Sequence, residues 1–143
     1  MIIKKMGIDH FFEVKDLWNT TYGMGLRTID DSKAGIEKFL LRNPNTNFVC
    51  MIENDIAGVI LSGHDGRRGY IYHTAVKEEF RKQGIGTKLV GEVIRSLRSE
   101  GINKVALVVF KTNTGGNCFW ESLGFQERND LVYRNLSLND ENM

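Results

Sequence analysis

Residues 69–101 read GYIYHTAVKEEFRKQGIGTKLVGEVIRSLRSEG, and their order of residue types decides the fold. Tyr70 to Val76 is aromatic and β-branched, which predicts a strand. Lys77 to Gln83 is polar apart from Phe80, and Gly84 and Gly86 then flank Ile85. Ile85, Leu89, Val93 and Leu97 recur every four residues with Val90 and Ile94 beside them, which is the apolar stripe of a helix. Gly101 predicts the helix end, with Arg95 and Arg98 near the negative pole of the helix dipole. A strand, a charged loop, a glycine turn and a helix therefore follow one another.

The glycine turn points to an anion. The first backbone N–H groups of a helix have no internal partner and lie at the positive end of its dipole. Glycine at the entry lets an anionic group approach the main chain without meeting a Cβ. Arg81, Lys82 and Lys88 add charge, and Thr87 adds a hydroxyl. A permissive strand-to-helix turn with a solvated basic face is the competing reading. Two phosphate motifs are excluded. The P-loop spacing is absent, since Gly86-Thr87-Lys88 stands where Gly-Lys-Ser/Thr would be needed. The dinucleotide fingerprint lacks its third glycine, where Leu89 stands.

Two segments carry a family resemblance. Arg81-Lys82-Gln83-Gly84-Ile85-Gly86 matches the pattern R/Q-x-x-G-x-G/A, and Asn113-x-x-Gly116-x-x-Phe119-Trp120-Glu121-Ser122-Leu123-Gly124-Phe125 is similar to N-x-x-A-x-x-F-Y-E-x-L-G-F. Both belong to the GNAT family of N-acetyltransferases, and they occur here in the family's order. With the His64–Gly69 hairpin and the Leu17-Trp18 helix, the chain resembles the family's small bacterial YpeA-type members.

The rest of the chain fits one domain spanning residues 1–143, large enough for its own core. A net charge of +1 implies no nucleic-acid footprint. No apolar run is long enough to span a membrane. The N-terminus lacks a secretion signal, and two cysteines make no disulfide framework, so a cytoplasmic protein is expected. No His/Cys spacing suggests a metal. Met1 to Met6 reads as a strand. Asp9 is expected to cap a helix over Phe12–Thr20, and Asp30 to Ser32 to cap a second over Ile36–Leu40. Strands are expected over Phe48–Ile52, Ile56–Ser62 and, buried on both faces, Val105–Phe110. A helix runs from Asn113 to Leu123. A closing hairpin is expected over Phe125–Glu127 and Leu131–Leu138, followed by a frayed tail from Asn139. The fold class is α/β: a mixed sheet of about six to seven strands with helices on both faces. That is also the fold that the resemblance implies.

The resemblance further implies function. The fourth and fifth strands would splay around acetyl-CoA, the acyl donor. Its pyrophosphate would lie on the amides from Gln83 to Thr87 (Gln83, Gly84, Ile85, Gly86, Thr87), with Arg81 and Lys82 beside it. Ala75 and Val76 would pair with the pantetheine arm as a neighbouring strand does. Asn113 would contact that arm or cap its helix, and Phe119 would wall the cofactor or simply fill the core. An amine would attack the thioester directly. The tyrosine that usually protonates the leaving thiolate is replaced by Trp120, whose indole N–H has no acid chemistry. The fifth-strand glutamate of some members is Val108.

Tyr70, Tyr72 and His73 are the candidates left for proton transfer, with His73 favoured because imidazole titrates near neutrality. An ordinary hydrogen-bonded sheet histidine is the competing reading. Strand alternation puts Tyr70, Tyr72 and Thr74 on one face and His73 on the other. Tyr22, His64 and Tyr133 are further possibilities. The acceptor would lie against the first two helices and the Thr21–Asp31 loop, where Asp30 and Asp31 either draw a cationic amine or, as the preferred reading, cap the second helix; Cys118 reads as a packing residue. The acceptor is an amine of a small molecule or a protein. A non-catalytic CoA-binding or sensor module is the alternative, and a nucleotide or other anion-binding domain a third. Exposed edges near Leu131–Leu138 offer a surface on which two copies pair into a homodimer.

Overall fold

The computed structural model describes all 143 residues. Five strands and four α-helices follow in the order β1 (Ile2–Lys5), α1 (Phe11–Asn19), α2 (Lys33–Arg42), β2 (Phe48–Ile52), β3 (Asp55–His64), β4 (Gly69–Val76), α3 (Ile85–Ser99), β5 (Val105–Ala106) and α4 (Thr114–Ser122). Short 3-10 turns precede α1 and α3. The strands lie in one sheet in sequence order, antiparallel from β1 to β4 and parallel between β4 and β5. The parallel step requires a crossover, and α3 supplies it. No helix is long and apolar enough to cross a membrane.

The sheet separates two cores. Phe11, Val14, Leu17 and Trp18 of α1, with Ile36 and Leu40 of α2, pack on Val49, Val59, Leu61 and Ala75. Ile85, Leu89, Val90, Val93 and Leu97 of α3 pack on Phe48, Cys50, Ala57, Ile60 and Ile71. The helix stripe of α3 is thus the buried face that the sequence periodicity predicts. Its end is also as expected. The N–H of Ile102 bonds the Leu97 carbonyl, that of Gly101 bonds Arg98, and Gly101 sits at φ +80°. These bonds form a Schellman cap.

Several expectations are corrected. The sheet has five strands rather than six to seven. Residues 125–127 and 131–138 form no ladder, and Leu131, Val132, Tyr133, Leu136 and Leu138 are exposed. Strand-forming residues make a strand only where an edge stands opposite them, and β5 pairs for two residues only. For the same reason Val105–Phe110 is not buried on both faces: Val108 and Phe110 are exposed. Asp9 lies in the 3-10 turn, and α1 starts after His10 with no side-chain cap. The tail is tied down rather than frayed. Asn142 Oδ1 accepts from the N–H groups of Ile29 and Asp30, and the Thr28 N–H bonds the Met143 carbonyl. Cys118 is exposed, not packed.

Candidate active site

The site begins where β4 and β5 part. They pair at Gly69–Val105 and Tyr70–Ala106 only, while β4 continues to Val76. From Ile71 onward the β5-side edge of β4 has no strand beside it. The chain leaves β4, makes a 3-10 turn over Glu78–Phe80, and enters α3 through Lys82 at φ +64° and Gly84 at φ +79°. Gly84 is the helix N-cap in the left-handed region and makes no side-chain cap. No group of the chain accepts from the N–H groups of Gln83, Gly84, Ile85, Gly86 or Thr87. Five amides at the positive end of a fifteen-residue helix are therefore free to meet an anion.

The walls follow from local packing. A Cβ on Gly86 would lie 3.0 Å from Phe119 Cζ, so the glycine lets the Phe119 ring close onto the start of α3. Phe119 stands on α4, which is capped at both ends. Asn113 Oδ1 accepts from the Gly116 N–H at 2.9 Å, the capping alternative of the two readings for Asn113. At the other end Gly124 bonds Glu121, and Phe125 bonds Trp120. The Trp120 and Phe125 rings meet at 5.1 Å, the apolar contact that accompanies a Schellman motif. Trp120 is thus committed to ending the helix. Arg81 turns back, and its Nε donates to the Val76 carbonyl at 3.0 Å. A groove lined by Leu17, Thr20, Thr21, Lys77, Glu78 and Arg81 runs between α1 and this turn.

On the α1 face of β4 lies a titratable cluster that strand alternation did not place. Leu61 pairs with Tyr72 and Val59 with Ala75, so His73 and Thr74 share one opposing position and form a β-bulge. His73 takes φ +42°, in the left-handed region. The extra residue shifts the alternation, and His73 turns to the same side as Tyr72. The His73 ring meets Trp18 at 5.0 Å and Tyr72 at 6.4 Å, while Tyr72 meets Tyr70 at 4.6 Å and Phe39 at 5.7 Å. Trp18 Nε1 donates to the His73 carbonyl at 3.1 Å.

Asp31 joins this cluster rather than capping α2. Ser32 supplies the cap, accepting from the Gly35 N–H. The Asp31 carboxylate is 2.7 Å from His73 Nε2 and also accepts from the Arg27 N–H at 2.6 Å. Its side chain is only 5% exposed, and that of His73 is 16% exposed. Burial pushes the Asp31 carboxyl up. The His73 hydrogen bond, the Arg27 N–H and the charges of His73 and Lys15 outweigh that, so it lies below the usual carboxylate range. Burial, with Tyr133 and Tyr72 nearby, pushes the Tyr70 phenol up to about 12. Burial, Tyr133 and Asp30 likewise raise Tyr72. Tyr133 itself is exposed, within electrostatic reach of both phenols. Tyr22 is exposed, and His64 is engaged elsewhere, 3.1 Å from Glu100. The sequence marks Asp31 as a cap or as an acid that draws a cationic amine, but its contact with His73 is not legible there because that partner is 42 residues away, and Trp18 reads only as part of a helix.

Residues 11–125 match the acetyltransferase (GNAT) family, and the chain belongs to that family. It is 30% identical over 128 residues to "Acetyltransferase plu1384" of Photorhabdus laumondii, covering 90% of this chain and 88% of that one. Its fold superposes with TM-score 0.77, at 23% identity and 96% coverage of both chains, on an aminoglycoside acetyltransferase, meta-AAC0020, from an uncultured soil metagenomic sample, in complex with sisomicin. It also superposes on Rv2747 from Mycobacterium tuberculosis in complex with CoA, with TM-score 0.71, 17% identity, and coverage of 90% of this chain and 73% of that one.

Proposed function

We propose that the protein transfers an acetyl group from acetyl-CoA to an amine by direct attack on the thioester. The observation that carries this reading is the run of acceptor-free amides from Gln83 to Thr87, set beside an edge of β4 with no strand partner. The amides suit the pyrophosphate, with Arg81 and Lys82 adding charge. The open edge at Ala75 and Val76 suits the pantetheine arm, and Phe119 walls it. One acceptor of that edge is already engaged, because Arg81 Nε donates to the Val76 carbonyl. The CoA complex of Rv2747 supports this donor, and the sisomicin complex of meta-AAC0020 supports an amine acceptor.

Two proton tasks accompany the reaction. The amine must lose a proton, since a lysine-type amine has a pKa of about 10.4. The departing thiolate has a pKa of about 8.5, so water suffices to protonate it. His73 is the proton acceptor of this reading. Tyr72, with its phenol raised, stays protonated and acts as a hydrogen-bond donor. Residues 1–143 work as one cytoplasmic domain without a metal. The packing of Trp120 and the apolar Val108 favour a second reading, a CoA-binding module that does not turn over.

Thermal shift with acetyl-CoA, CoA, ATP and NAD separates these readings. Ligand at about 100 times its Kd stabilises by about 2.7 kcal/mol, a shift of several degrees in a domain of this size. Both CoA species should shift the midpoint, and ATP and NAD should not. No response to either CoA species overturns both CoA readings. Acetyl-CoA consumption with sisomicin, spermidine, glucosamine 6-phosphate and a peptide with a free N-terminus then tests turnover. Gly84→Val should abolish the CoA shift, because φ +79° strains any side chain even though a Cβ meets nothing within 4 Å.

A further inference from the structure

We propose that Asp31 is a positioning residue that holds His73 through Nε2, so that His73 Nδ1 takes the proton from the acceptor amine. The inference rests on the acetyl-transfer reading and assigns the proton path within that site.

The geometry fixes which nitrogen is the base. A carboxylate only accepts hydrogen bonds, so the 2.7 Å contact to Asp31 requires the proton of neutral His73 to sit on Nε2. Nδ1 then carries the lone pair. Nδ1 has no hydrogen-bond partner in the chain, and no buried side-chain nitrogen or oxygen lacks one, so Nδ1 is not sealed from solvent. The bulge holds the ring in place from below. It puts His73 at φ +42°, and Trp18 bonds its carbonyl and stacks edge-on against its ring. A non-glycine residue in that region costs free energy, and such strain gathers at functional positions. Here it turns His73 to the side where Asp31 waits. His73 lies in the stretch of β4 beyond its last pairing with β5 and two residues before Ala75.

The charged and titratable groups around the pair come from every neighbouring element. Helix α1 brings Lys15, whose Nζ bonds the Asp31 carbonyl at 2.9 Å. The loop after α1 brings Asp31, Arg27 and Asp30, and the Asp30 carboxylate accepts from Asn142. Strand β4 brings Tyr70 and Tyr72, and the C-terminal segment brings Tyr133. Both β4 phenols are raised and keep their protons, which leaves the unpartnered Nδ1 lone pair of His73 as the proton acceptor of this cluster.

The step balances. The acceptor first gives its ammonium proton to water; as the amine lone pair then forms the N–C bond to the acetyl carbon, the nitrogen becomes acidic and its second proton passes to Nδ1. The C–S bond breaks with its electron pair leaving on sulfur, and the imidazolium returns its proton to the thiolate or to water. Asp31 keeps its negative charge throughout and faces the imidazolium.

Two measurements test the pair. The 15N and 1H shifts of the His73 ring, assigned with His73→Gln, should report the Nε2–H tautomer, and Asp31→Asn should change it. The Nδ1–H tautomer, or spectra unmoved by Asp31→Asn, overturns the pair. In acetyl-CoA consumption with the amines named above, His73→Gln should lower kcat about 100-fold or more. Asp31→Asn should lower it by about 10- to 100-fold. The Kd for CoA should hold in both variants, and Asp31→Glu should recover part of the loss. Wild-type rates in both variants overturn the proposal even if the tautomer is right. A wild-type protein that turns over none of the amines, yet binds CoA, overturns the transfer reading and the proton role together. The NMR result then separates that failure from failure of the Asp31–His73 contact.

Discussion

A carboxylate buried to the degree of Asp31 is costly unless it is satisfied, and this one is satisfied by a ring nitrogen and a backbone N–H. Its pH dependence has a definite sign. The folded carboxyl lies below its ordinary value of 3.8, so the unfolded chain binds that proton more readily. The stabilisation is complete above the unfolded value and is lost as pH falls through the folded one. The difference in urea midpoint between wild type and Asp31→Asn should therefore narrow as pH is lowered from about 5 towards 2. A constant difference would mean that the charge of Asp31 does not stabilise the fold. Gly86 makes a second residue-scale prediction. Alanine there gains up to about 1 kcal/mol of helix propensity but brings a Cβ to 3.0 Å from Phe119 Cζ. Gly86→Ala should leave stability within about 1 kcal/mol and weaken CoA binding about tenfold, because Phe119 must move. Calorimetric titration with CoA beside thermal melts checks both halves.

The elements carry their own start and stop signals, and most of these were legible. The segment Asn113 to Phe125 contains a cap, a helix and a Schellman end in one line of sequence, which is why it can be read without knowing what surrounds it. Asn113→Ala should cost about 1 kcal/mol and lower Tm by roughly 3 to 4 °C. A larger loss, confined to the CoA complex, would show that Asn113 also touches the ligand. The α3 stripe was legible for the same reason, since period and burial agree. Strand β4 was not. Its composition predicts an unbroken strand over Tyr70–Val76, but the two-against-one pairing at His73 depends on what β3 presents opposite. A bulge flips every side chain beyond it, so alternation read from sequence gave the wrong face for His73.

Across the whole molecule, the Asp31–His73 cluster is assembled from distant parts. Asn142 holds the Ile29 and Asp30 amides, the next residue is Asp31, and Asp31 holds His73. Asn142→Ala should leave the α3 core intact, destabilise by about 1 kcal/mol, and speed amide exchange at residues 28–31 before the rest of the chain. Uniform exchange in the variant would show that the tail does not order the loop. The missing hairpin belongs to this scale too. Residues 131–138 have the composition of a strand, but β5 breaks its pairing after Ala106 and offers them no ladder.

What the sequence determined by itself is what local physics encodes: the helical period of α3, the caps at Ser32, Asn113, Gly101 and Gly124, and the glycine entry that leaves helix amides free at Gln83–Thr87. Those signals depend on residues within a turn or two of one another, and the two matched segments lie among them. The tertiary structure alone decided how many strands pair, where β4 and β5 part, and that Asp31 meets His73. Pairing, register and a buried hydrogen bond are properties of two surfaces brought together, and neither partner's sequence specifies the other.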